Sequence, residues 1–506
     1  MNQRIRQVVI VHFNTPELTE AAILSLRRHG GEKYEVTVFD NSDARPFTKQ
    51  MEGVTVVDNT LGQEIDLDAE LRKYPDRCRE MGCSYNGDYN AVAGNFGSAR
   101  HMMTVQYIID NAENDFLLMD SDILIQQPVD FMFQPDTCVV GHVQTWEKAQ
   151  NPMKIDRLVP MLLYVNAPML RERGGRFFDP SRCYGLSKGG RKARANWYDT
   201  GAALLEDIRS HSNGLCGRRV DIRPLMVHFG AGSWFKTRRG AHLDWLNANR
   251  SLWATDKTTT IGDPDAKQPA NKSTRIFIAA HGPHPERVSN KVYETIDMSE
   301  GGDEYMNVPG SFFSEWLAMH RVAKRRRLPQ TIGFCQYRKY FQWMDDVPDL
   351  PRMVKRYGCL VSLALDLGMT VREQYDRIVG NVEDLDRATE IIEENYPDFA
   401  PAWRKSLDGR LLHPATMFVM PRGEFLRMTD DIGFILGKWL EAIGSDIDGR
   451  INASKRKYHI PGSSVAYQRR VGGQLCERIA SAWIDWKFPE AREVPVIVTG
   501  QPITAN

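Results

Sequence analysis

The sequence lacks the long apolar run that a membrane-spanning helix requires. Such a helix needs about 18–20 consecutive apolar residues, and the chain contains no segment of this kind. Its first residues, Met1–Gln7, are polar and lead into an apolar segment that is too short to be the core of a signal peptide. We therefore expect a cytoplasmic protein.

The sequence also lacks an excess of charge of either sign. Its 65 Lys and Arg residues are balanced by 65 Asp and Glu residues, so no net field attracts nucleic acid and we expect no nucleic-acid partner. Two short basic runs, Lys324–Arg327 and Lys455–Lys457, are typical of a solvated face. A weak peripheral contact with anionic lipid at the inner face of the membrane is the alternative interpretation.

Cysteine is sparse and shows no metal-binding pattern. The eight cysteines include no Cys-x-x-Cys pair and no Cys/His cluster at zinc spacing, which argues against a zinc site and favours reduced, packed thiols. The rest of the composition is ordinary for a globular protein. A chain of 506 residues is too long for one core, so two or three domains are expected.

What is present in the N-terminal part is a strand–helix–strand pattern. Val8–Phe13 and Glu35–Phe39 predict buried strands, and Val54–Val57 predicts a third. Between the first two, Asn14 and Pro16 supply an N-cap and a first helical residue. Strands that alternate with helices indicate right-handed crossovers and a parallel sheet. The predicted fold class is therefore α/β.

Two carboxylates follow a fourth predicted strand. The apolar run Phe116–Met119 is followed at once by Asp120 and Asp122, at the strand end where ligands of open α/β sheets bind. Residues two apart in extended chain point the same way, so both carboxylates can face one divalent cation. Mg²⁺ takes few protein carboxylates and completes its shell with substrate phosphates. The pattern predicts a Mg²⁺ or Mn²⁺ site for a nucleotide diphosphate, and a surface Asp pair in a turn is the alternative.

The remaining elements set the expected domain organisation. Leu61–Ala93 is polar and weakly periodic, which predicts an insertion or mobile loop, and Gly94–Arg100 leads into a helix. Val220–Val227 predicts a strand. Ser251–Ser273 has few large apolar residues and predicts a linker. We expect a first domain at 1–250, the linker at 251–273, a second α/β domain at 274–487, and a tail at 488–506 that is ordered only by docking.

Four motifs give residues 7–235 a resemblance to a family-2-like glycosyltransferase with the nucleotide-diphospho-sugar transferase (GT-A) fold. They are Val9–Asn14, Val38–Ser42, Asn95-x-Gly97-x-Ala99-Arg100 and Met119–Asp122. The resemblance implies that Phe13, Asn14 and Asp40 hold the nucleotide base and ribose, and that Asn95, Arg100 and Asp120 complete the nucleotide-sugar site. A turn-forming role is the alternative for Asp40.

The same resemblance implies a third metal ligand and a catalytic base. His228 follows the last predicted strand of the domain, where such enzymes often place a further metal ligand; a packed histidine is the alternative. Asp199, in Tyr198-Asp199-Thr200-Gly201, resembles the acceptor-side segment and is the candidate base of an inverting transfer, with Glu206 as a weaker substitute. A helix N-cap is the alternative for Asp199. The Gln-x-x-Arg-Trp motif of processive synthases is missing, which argues against polymerisation.

Residues 274–487 resemble a different group, the domain-of-unknown-function family 4422, which is associated with galactofuranosyl transfer. The signature stretch is Ile332–Phe341, in which Gln336 replaces a His and Lys339 replaces an Arg. Supporting matches are Phe313–Trp316, Gln374-Tyr375, His413–Phe418, Gln468–Arg470 and Cys476–Arg478.

This second resemblance implies a second set of site residues. Arginine suits a diphosphate, and the candidates for nucleotide-sugar binding are Tyr337, Arg338, Arg469 and Arg470. A structural salt bridge is the alternative for Arg338. Glu315 and Glu477 are the candidate bases, because Gln336 cannot titrate near neutral pH.

Together these features predict two Rossmann-like (GT-A type) nucleotide-sugar transferase domains with mostly parallel sheets. The expected function is transfer from nucleotide-diphosphate sugars, UDP sugars in particular, to a glycan or lipid-linked glycan acceptor of a capsule or O-antigen. A sugar-1-phosphate nucleotidyltransferase is disfavoured because no Gly-rich loop follows the first strand. A further alternative is one active domain, with the other serving as a glycan-binding or docking module.

Overall fold

The computed structural model describes residues 6–30, 34–72, 89–146, 155–179, 200–230, 241–256, 259–261, 271–280, 290–298, 304–305, 308–309, 312–343, 346–444, 470–494 and 496–498. The chain forms two compact units. The first comprises residues 1–84 and 91–268, and the second comprises residues 85–90 and 269–506.

The first unit alternates strands with helices. Its described strands are β1 (Arg6–His12), β2 (Tyr34–Asp40), β3 (Val54–Asp58), β4 (Phe116–Asp120), β5 (Ile123–Ile125), β6 (Val139–Gln144), β7 (Arg157–Val165), β8 (Gly217–Arg219) and β9 (Met226–His228). Its described helices are α1 (Pro16–His29), α2 (Leu67–Arg72), α3 (Tyr89–Asn111), α4 (Ala167–Glu172), α5 (Ala202–Arg209), α6 (Ala241–Ala248) and α7 (Arg250–Trp253).

The main sheet of the first unit has the strand order β3-β2-β1-β4-β7-β6-β8. Strand β1 pairs in parallel with both β2 and β4, and β2 pairs in parallel with β3. Strand β7 pairs antiparallel with β4 and β6. The strand order reverses between β1 and β4, and the crevice at such a reversal is where open α/β sheets bind ligands. The predicted α/β class with mostly parallel strands is confirmed.

A separate two-stranded pairing extends the carboxyl edge of β4. Strand β5 pairs antiparallel with β9, and Ile123 lies opposite His228. The amide N–H of Ile125 donates a hydrogen bond of 2.9 Å to Ser25 Oγ on α1, and Ile123, Leu124 and Ile125 are buried. The turn between β4 and β5 is therefore anchored in the core of the unit.

Several boundaries in the first unit differ from the sequence-based expectation. Helix α3 starts at Tyr89, so Gly94–Arg100 lies inside a helix, and α2 occupies part of the expected loop Leu61–Ala93. Of the expected strand Val220–Val227, only Met226 and Val227 lie in a strand, β9, and β8 ends earlier, at Arg219. Asp221 accepts hydrogen bonds from the amide and side chain of Arg223, and Pro224 has no N–H to donate. This turn interrupts the strand.

The start of the expected linker is folded in the first unit. Helix α7 includes Ser251 and Leu252, and Trp253 is buried with its Nε1 donating to the carbonyl of Leu246 at 2.9 Å. A Trp side chain buries a large apolar surface, which accounts for this docking.

The second unit is a second α/β assembly. Its described strands are β10 (Thr274–Ala280), β11 (Tyr293–Asp297), β12 (Glu304–Tyr305), β13 (Val308–Pro309), β14 (Thr331–Gln336), β15 (Lys339–Phe341), β16 (Leu360–Ser362), β17 (Leu365–Asp366), β18 (Leu411–Leu412), β19 (Phe418–Pro421), β20 (Arg492–Val494) and β21 (Val496–Val498). Its described helices are α8 (Glu315–Ala323), α9 (Leu350–Tyr357), α10 (Val371–Ile378), α11 (Glu383–Asn395), α12 (Ala400–Asp408), α13 (Arg422–Ile443) and α14 (Val471–Lys487).

The sheet of the second unit has the order β11-β10-β14-β19-β16-β20, with β15 joined to β14 and β21. Strand β10 pairs in parallel with β11 and β14, and β16 pairs in parallel with β20. Strand β19 runs antiparallel to β14 and β16. The expected docked tail therefore contains two strands of the sheet, β20 and β21, which the sequence analysis did not predict.

Aromatic residues dominate the core of the second unit. Trp316, Trp403, Trp439 and Trp483 are each at most 1% exposed. The fully buried carboxylate of Asp384 accepts hydrogen bonds from Tyr375 Oη (3.3 Å) and Trp439 Nε1 (3.2 Å). A buried charge is tolerated only when donors replace water, so this carboxylate ties α10, α11 and α13 together.

The described residues contain neither a membrane-spanning helix nor a disulfide. Among the helices that the structure describes, none combines the length and the apolar character that a bilayer crossing needs. The described cysteines, which are Cys138, Cys216, Cys335, Cys359 and Cys476, are free thiols.

A buried histidine makes the stability of the second unit depend on pH. His413 Nδ1 lies 2.6 Å from the carbonyl oxygen of Ser362, and its Nε2 lies 3.1 Å from Asp485 Oδ1. Burial alone would lower the pKa of His413, but the charges of Asp485 and Glu493 and these hydrogen bonds raise it above its ordinary value. A raised folded-state pKa stabilises the fold below the unfolded-state pKa, and this contribution is lost as pH rises through the folded-state pKa.

We expect His413→Asn to flatten this pH dependence. The Asn side chain can still donate to Ser362 but cannot titrate. The melting temperature of the wild type should fall, relative to this variant, as pH rises from about 6.5 through the folded-state pKa. Melting curves recorded across this range give the measurement. The control Asp485→Asn should lose most of the same dependence, and an equal pH slope in all three proteins would contradict the assignment.

Candidate functional site

The first candidate site is the turn between β4 and β5. Asp120 ends β4, and Asp122 precedes β5. The β5–β9 pairing brings His228 to this turn, where its Nε2 lies 3.2 Å from Asp122 Oδ1. The amide of Phe229 also donates to the carbonyl of Asp122 at 2.9 Å. The structure thus brings together two of the three predicted metal ligands.

Charge stabilises the contact between these two side chains. Burial alone would lower the pKa of His228, but the hydrogen bond and charge of Asp122, with the charge of Asp120, raise it above its ordinary value. Both carboxylates of the turn therefore stabilise the protonated form of the His228 imidazole. A divalent cation placed here would meet the same concentrated negative charge.

Asp120 has a different histidine partner. His101 Nε2, from α3, lies 3.4 Å from Asp120 Oδ1, and both side chains are 22% exposed. Sequence reasoning missed His101. The available signal was its place directly after Arg100 of the Asn95–Arg100 motif, on the helix that leads into β4.

Two of the predicted ligands have the spacing that a divalent cation requires. Within the described residues, no group of three or more His, Cys, Asp or Glu side chains is assembled as a metal cluster. The Asp122–His228 pair nevertheless fits, because two ligands about 2.1 Å from one ion at right angles are roughly 3 Å apart. Imidazole beside carboxylate suits Mn²⁺. Substrate phosphates and Asp120 would have to complete the shell.

The sequence predicts that Asp40 contacts the base or the ribose of a nucleotide. In the structure its carboxylate binds two backbone amides instead. It is 2% exposed, and its two carboxylate oxygens accept hydrogen bonds from the amides of Ser42 (2.9 Å) and Phe47 (2.7 Å). The carboxylate therefore folds the loop after β2 in the manner of an Asx turn. This geometry favours the alternative, turn-forming role.

Asn14 holds the same loop from the other side. Its backbone has a φ of 56°, a left-handed conformation that Asn tolerates better than most residues. Its Oδ1 accepts from the amides of Ala44 (2.9 Å) and Arg45 (3.0 Å), and its Nδ2 donates to Asp43 Oδ1 (2.6 Å). Asn14 and Asp40 together fix the rim of the crevice at the ends of β1 and β2.

The other predicted residues of the first unit are less closely defined. Phe13 is half-buried at the end of β1, and Arg100 is half-buried in α3, one residue before His101. Asn95 lies in α3. Asp199 lies outside the described residues, so its assignment as the base stays a sequence-based prediction.

The role of Asp40 can be tested by one substitution. Asp40→Asn puts an NH₂ group against one of two backbone donors, and leaving a buried donor unsatisfied costs about 1–3 kcal/mol. Thermal unfolding should show this loss. The control is Asp58→Asn, since Asp58 is the exposed register partner of Asp40 on β3. The side-chain oxygen of Asn can still accept the hydrogen bonds that Thr60 donates to Asp58. Unchanged unfolding with abolished nucleotide binding would instead support a direct nucleotide contact.

The second candidate site lies at the end of β14 in the second unit. Gln336, the last residue of β14, donates a hydrogen bond of 2.7 Å from Nε2 to Oε1 of Glu315, the first residue of α8. The side chain of Glu315 is partly exposed. The structure thus joins one predicted base to the position at which the family signature has a His.

Glu477, the other predicted base, has a different environment. Its Oε1 accepts a hydrogen bond of 2.5 Å from the amide of Ala415, and its Oε2 accepts one of 2.8 Å from Arg478. Arg478 is 1% exposed, and its guanidinium also bonds Gln374 Oε1 (2.5 Å) and lies over the ring of Tyr375. These contacts join three of the sequence motifs in one hydrogen-bonded cluster.

The backbone around these carboxylates is strained. Ser314, Ala415 and Thr416 have φ values of 49°, 67° and 49°, which side-chain-bearing residues rarely adopt. A Cβ on Gly473 would lie 2.5 Å from the Cβ of Ser314, so only glycine lets α14 approach α8 here. Such strain clusters at functional sites.

Of the remaining candidates of the second unit, Tyr337 and Arg338 directly follow β14. The guanidinium of Arg338 lies 4.8 Å from the centre of the Tyr337 ring, and no salt bridge of Arg338 is seen among the described residues. Arg470 is half-buried directly before α14. Arg469 lies outside the described residues.

Comparisons with known proteins give one family match. A family model described as Domain of unknown function (DUF4422) matches residues 288–487, which is less than half of the chain. This match confirms the resemblance predicted for the C-terminal part. No curated protein matches the chain.

Among solved structures, the matches are weak. The WbbM bifunctional glycosyltransferase matches with 15% identity and a TM-score of 0.35, over 46% of this chain and 47% of that chain. The galactosyltransferase LgtC, in complex with donor and acceptor sugar analogues, matches with 11% identity and a TM-score of 0.30, over 50% of this chain and 97% of that chain.

A third structure is the mannosyltransferase PcManGT from Pyrobaculum calidifontis, in complex with GDP-Man and Mn²⁺. It matches with 16% identity and a TM-score of 0.23, over 49% of this chain and 65% of that chain. Of WbbM, the first of these three structures, the chain spans about half the length. Likenesses at these TM-scores do not identify a reaction or a substrate for this chain.

Proposed function

We propose that the chain is a glycosyltransferase that uses nucleotide-diphosphate sugars, UDP sugars in particular, as donors. The observation that carries this proposal is the Asp122–His228 pair beside Asp120, at the carboxyl edge of β4 and next to the reversal of strand order. This is the edge at which open α/β sheets bind nucleotides. The motifs that resemble the GT-A family lie on β1, β2, α3 and β4.

Donor binding in the first unit rests on this turn. Asp120, Asp122 and His228 would hold Mn²⁺ or Mg²⁺, which supplies positive charge to a departing diphosphate. The loop that Asn14 and Asp40 fix would form the wall for the nucleoside, with Phe13 at its edge. In this arrangement Asp40 contributes by shaping the loop.

The acceptor side of the first unit is assigned from the sequence. In an inverting transfer a base takes the proton from the acceptor hydroxyl as that oxygen bonds to the anomeric carbon. Asp199 has this role in the proposal, and the acceptor is a glycan or lipid-linked glycan of a bacterial surface polysaccharide, capsule or O-antigen.

The second unit carries a second transfer in this proposal, of galactofuranosyl type. Support comes from the family match over residues 288–487 and from the partly exposed carboxylate of Glu315 at the end of β14. Arg338, beside this strand end, has the planar donor fork that suits a diphosphate. The chain is then bifunctional.

The first test is Asp122→Asn, which removes one ligand charge and the partner of His228. Loss of one well-placed electrostatic partner costs about 10²–10³ in rate. We expect release of nucleoside diphosphate by the first unit to fall by this factor, and Mn²⁺ binding measured by electron paramagnetic resonance to weaken. Screening a panel of nucleotide sugars on the wild type selects the donor.

The matched control is Asp136→Asn, because Asp136 is an exposed carboxylate of the same unit that pairs with Arg218 at the surface. It should keep both activity and Mn²⁺ binding. Full activity of Asp122→Asn, or of the wild type in excess chelator, would contradict the proposed metal dependence.

The second test concerns Asp199. Asp199→Asn should lower transfer strongly and leave donor affinity near that of the wild type, because a base acts only in the transition state. Isothermal titration with the donor and initial-rate kinetics separate the two effects. If affinity falls as much as turnover, Asp199 is a ligand or a structural residue.

A further inference from the structure

Two carboxylates of the second unit, Glu315 and Glu477, both act on the buried thiol of Cys476. Burial raises the pKa of this thiol, and the charges of Glu315 and Glu477 raise it further. Sequence reasoning could not choose between these two as the base. Their hydrogen bonds in the structure separate them.

Both carboxylate oxygens of Glu477 accept hydrogen bonds from within the second unit. One accepts from the amide of Ala415, inside the strained turn Ala415–Thr416, and the other accepts from Arg478. Arg478 is itself buried and tied to Gln374 and Gln474. A base must accept a proton from a substrate hydroxyl, and protonating Glu477 would leave a buried guanidinium without its counter-charge.

Glu315 has one oxygen held and one available. Gln336 Nε2 donates to Oε1 at 2.7 Å, and this is the only hydrogen bond to the carboxylate from the part of the chain that the structure describes. The side chain is partly exposed. A carboxylate fixed on one oxygen by a neutral amide, with the other oxygen left for a substrate, is the arrangement that a positioned base requires.

The backbone explains why Glu315 is fixed in direction. Ser314 has φ 49° and ψ −127°, and the close approach of Gly473 to its Cβ leaves it little room to relax. Phe313 and Trp316, on either side, are at most 1% exposed. The first residue of α8 is thus locked by the core on one side and by α14 on the other.

We propose that Glu315 is the catalytic base of the second unit, that Gln336 is its positioning residue, and that Glu477 is structural. This inference rests on the proposed function of the second unit. Glu315 Oε2 takes the proton from a sugar hydroxyl of the acceptor, whose oxygen forms the new bond to the anomeric carbon of a nucleoside-diphosphate sugar. The bond from that carbon to the diphosphate oxygen breaks, and its electron pair leaves with the nucleoside diphosphate.

The test uses the full chain carrying Asp122→Asn, so that transfer by the first unit is suppressed. UDP-galactofuranose is the donor probe, and octyl β-galactoside is the acceptor probe. Glu315→Gln should lower kcat by about 10²–10⁴-fold and leave the donor KM and the melting temperature unchanged. Glu477→Gln should instead lower the melting temperature. The matched control is Glu424→Gln, since Glu424 is a partly exposed carboxylate in the first turn of α13.

Two readouts separate catalysis from a structural effect. Formate, a small carboxylate, should restore part of the transfer by Glu315→Ala and none by Glu477→Ala. Gln336→Leu should lower kcat with little change in KM, and Gln336→His, which keeps an N–H donor, should recover much of it.

The outcomes test the assignment of the base and the transferase function separately. Transfer retained by Glu315→Gln, or formate rescue at position 477 instead of 315, would overturn the assignment and leave the transferase function standing. A wild-type second unit that transfers from no member of the nucleotide-sugar panel would overturn both.

Discussion

A carboxylate that is removed from water must be matched by hydrogen-bond donors, and this requirement assigns roles to the acidic residues of both units. Asp40 is matched by two backbone amides, Asp384 by Tyr and Trp donors, and Glu477 by an amide and a buried guanidinium. These three hold loops and helices in place. Asp120, at the end of β4, and Glu315, the first residue of α8, remain partly exposed, so a ligand can reach them.

The two candidate sites use different partners for their carboxylates. In the first unit the partners are imidazoles, His228 for Asp122 and His101 for Asp120. In the second unit the partner of Glu315 is the amide of Gln336. An imidazole can take a proton or bind a cation, whereas an amide can only orient the carboxylate. The first site is therefore suited to holding an ion and the second to accepting a proton from a substrate.

The sequence predicted those parts of the fold that local patterns encode. The apolar run before Asp120 predicted β4, and the resemblance to the GT-A family implied that His228 joins Asp120 and Asp122 as a further metal ligand. The sequence could not show that Asp40 is saturated by backbone amides, because its donors come from a loop whose path depends on Asn14. The sequence analysis also missed His101, because its place after Arg100 does not by itself show that the fold brings it to Asp120. Strands β20 and β21 were missed because each has only three residues.

The late position of β20 has a consequence for how the second unit is made. Strand β16 pairs with β20, and Leu360 lies opposite Arg492. This pairing cannot form until Arg492 has been synthesised. Arg492 is buried and lies over the ring of Tyr357. The edge of β16 stays unpaired for roughly 7–26 seconds during synthesis, because 132 residues separate Leu360 from Arg492 and about 5–20 residues are added per second. An unpaired strand edge is a template for aggregation. Protection of the nascent chain during this interval should therefore influence the yield of folded protein.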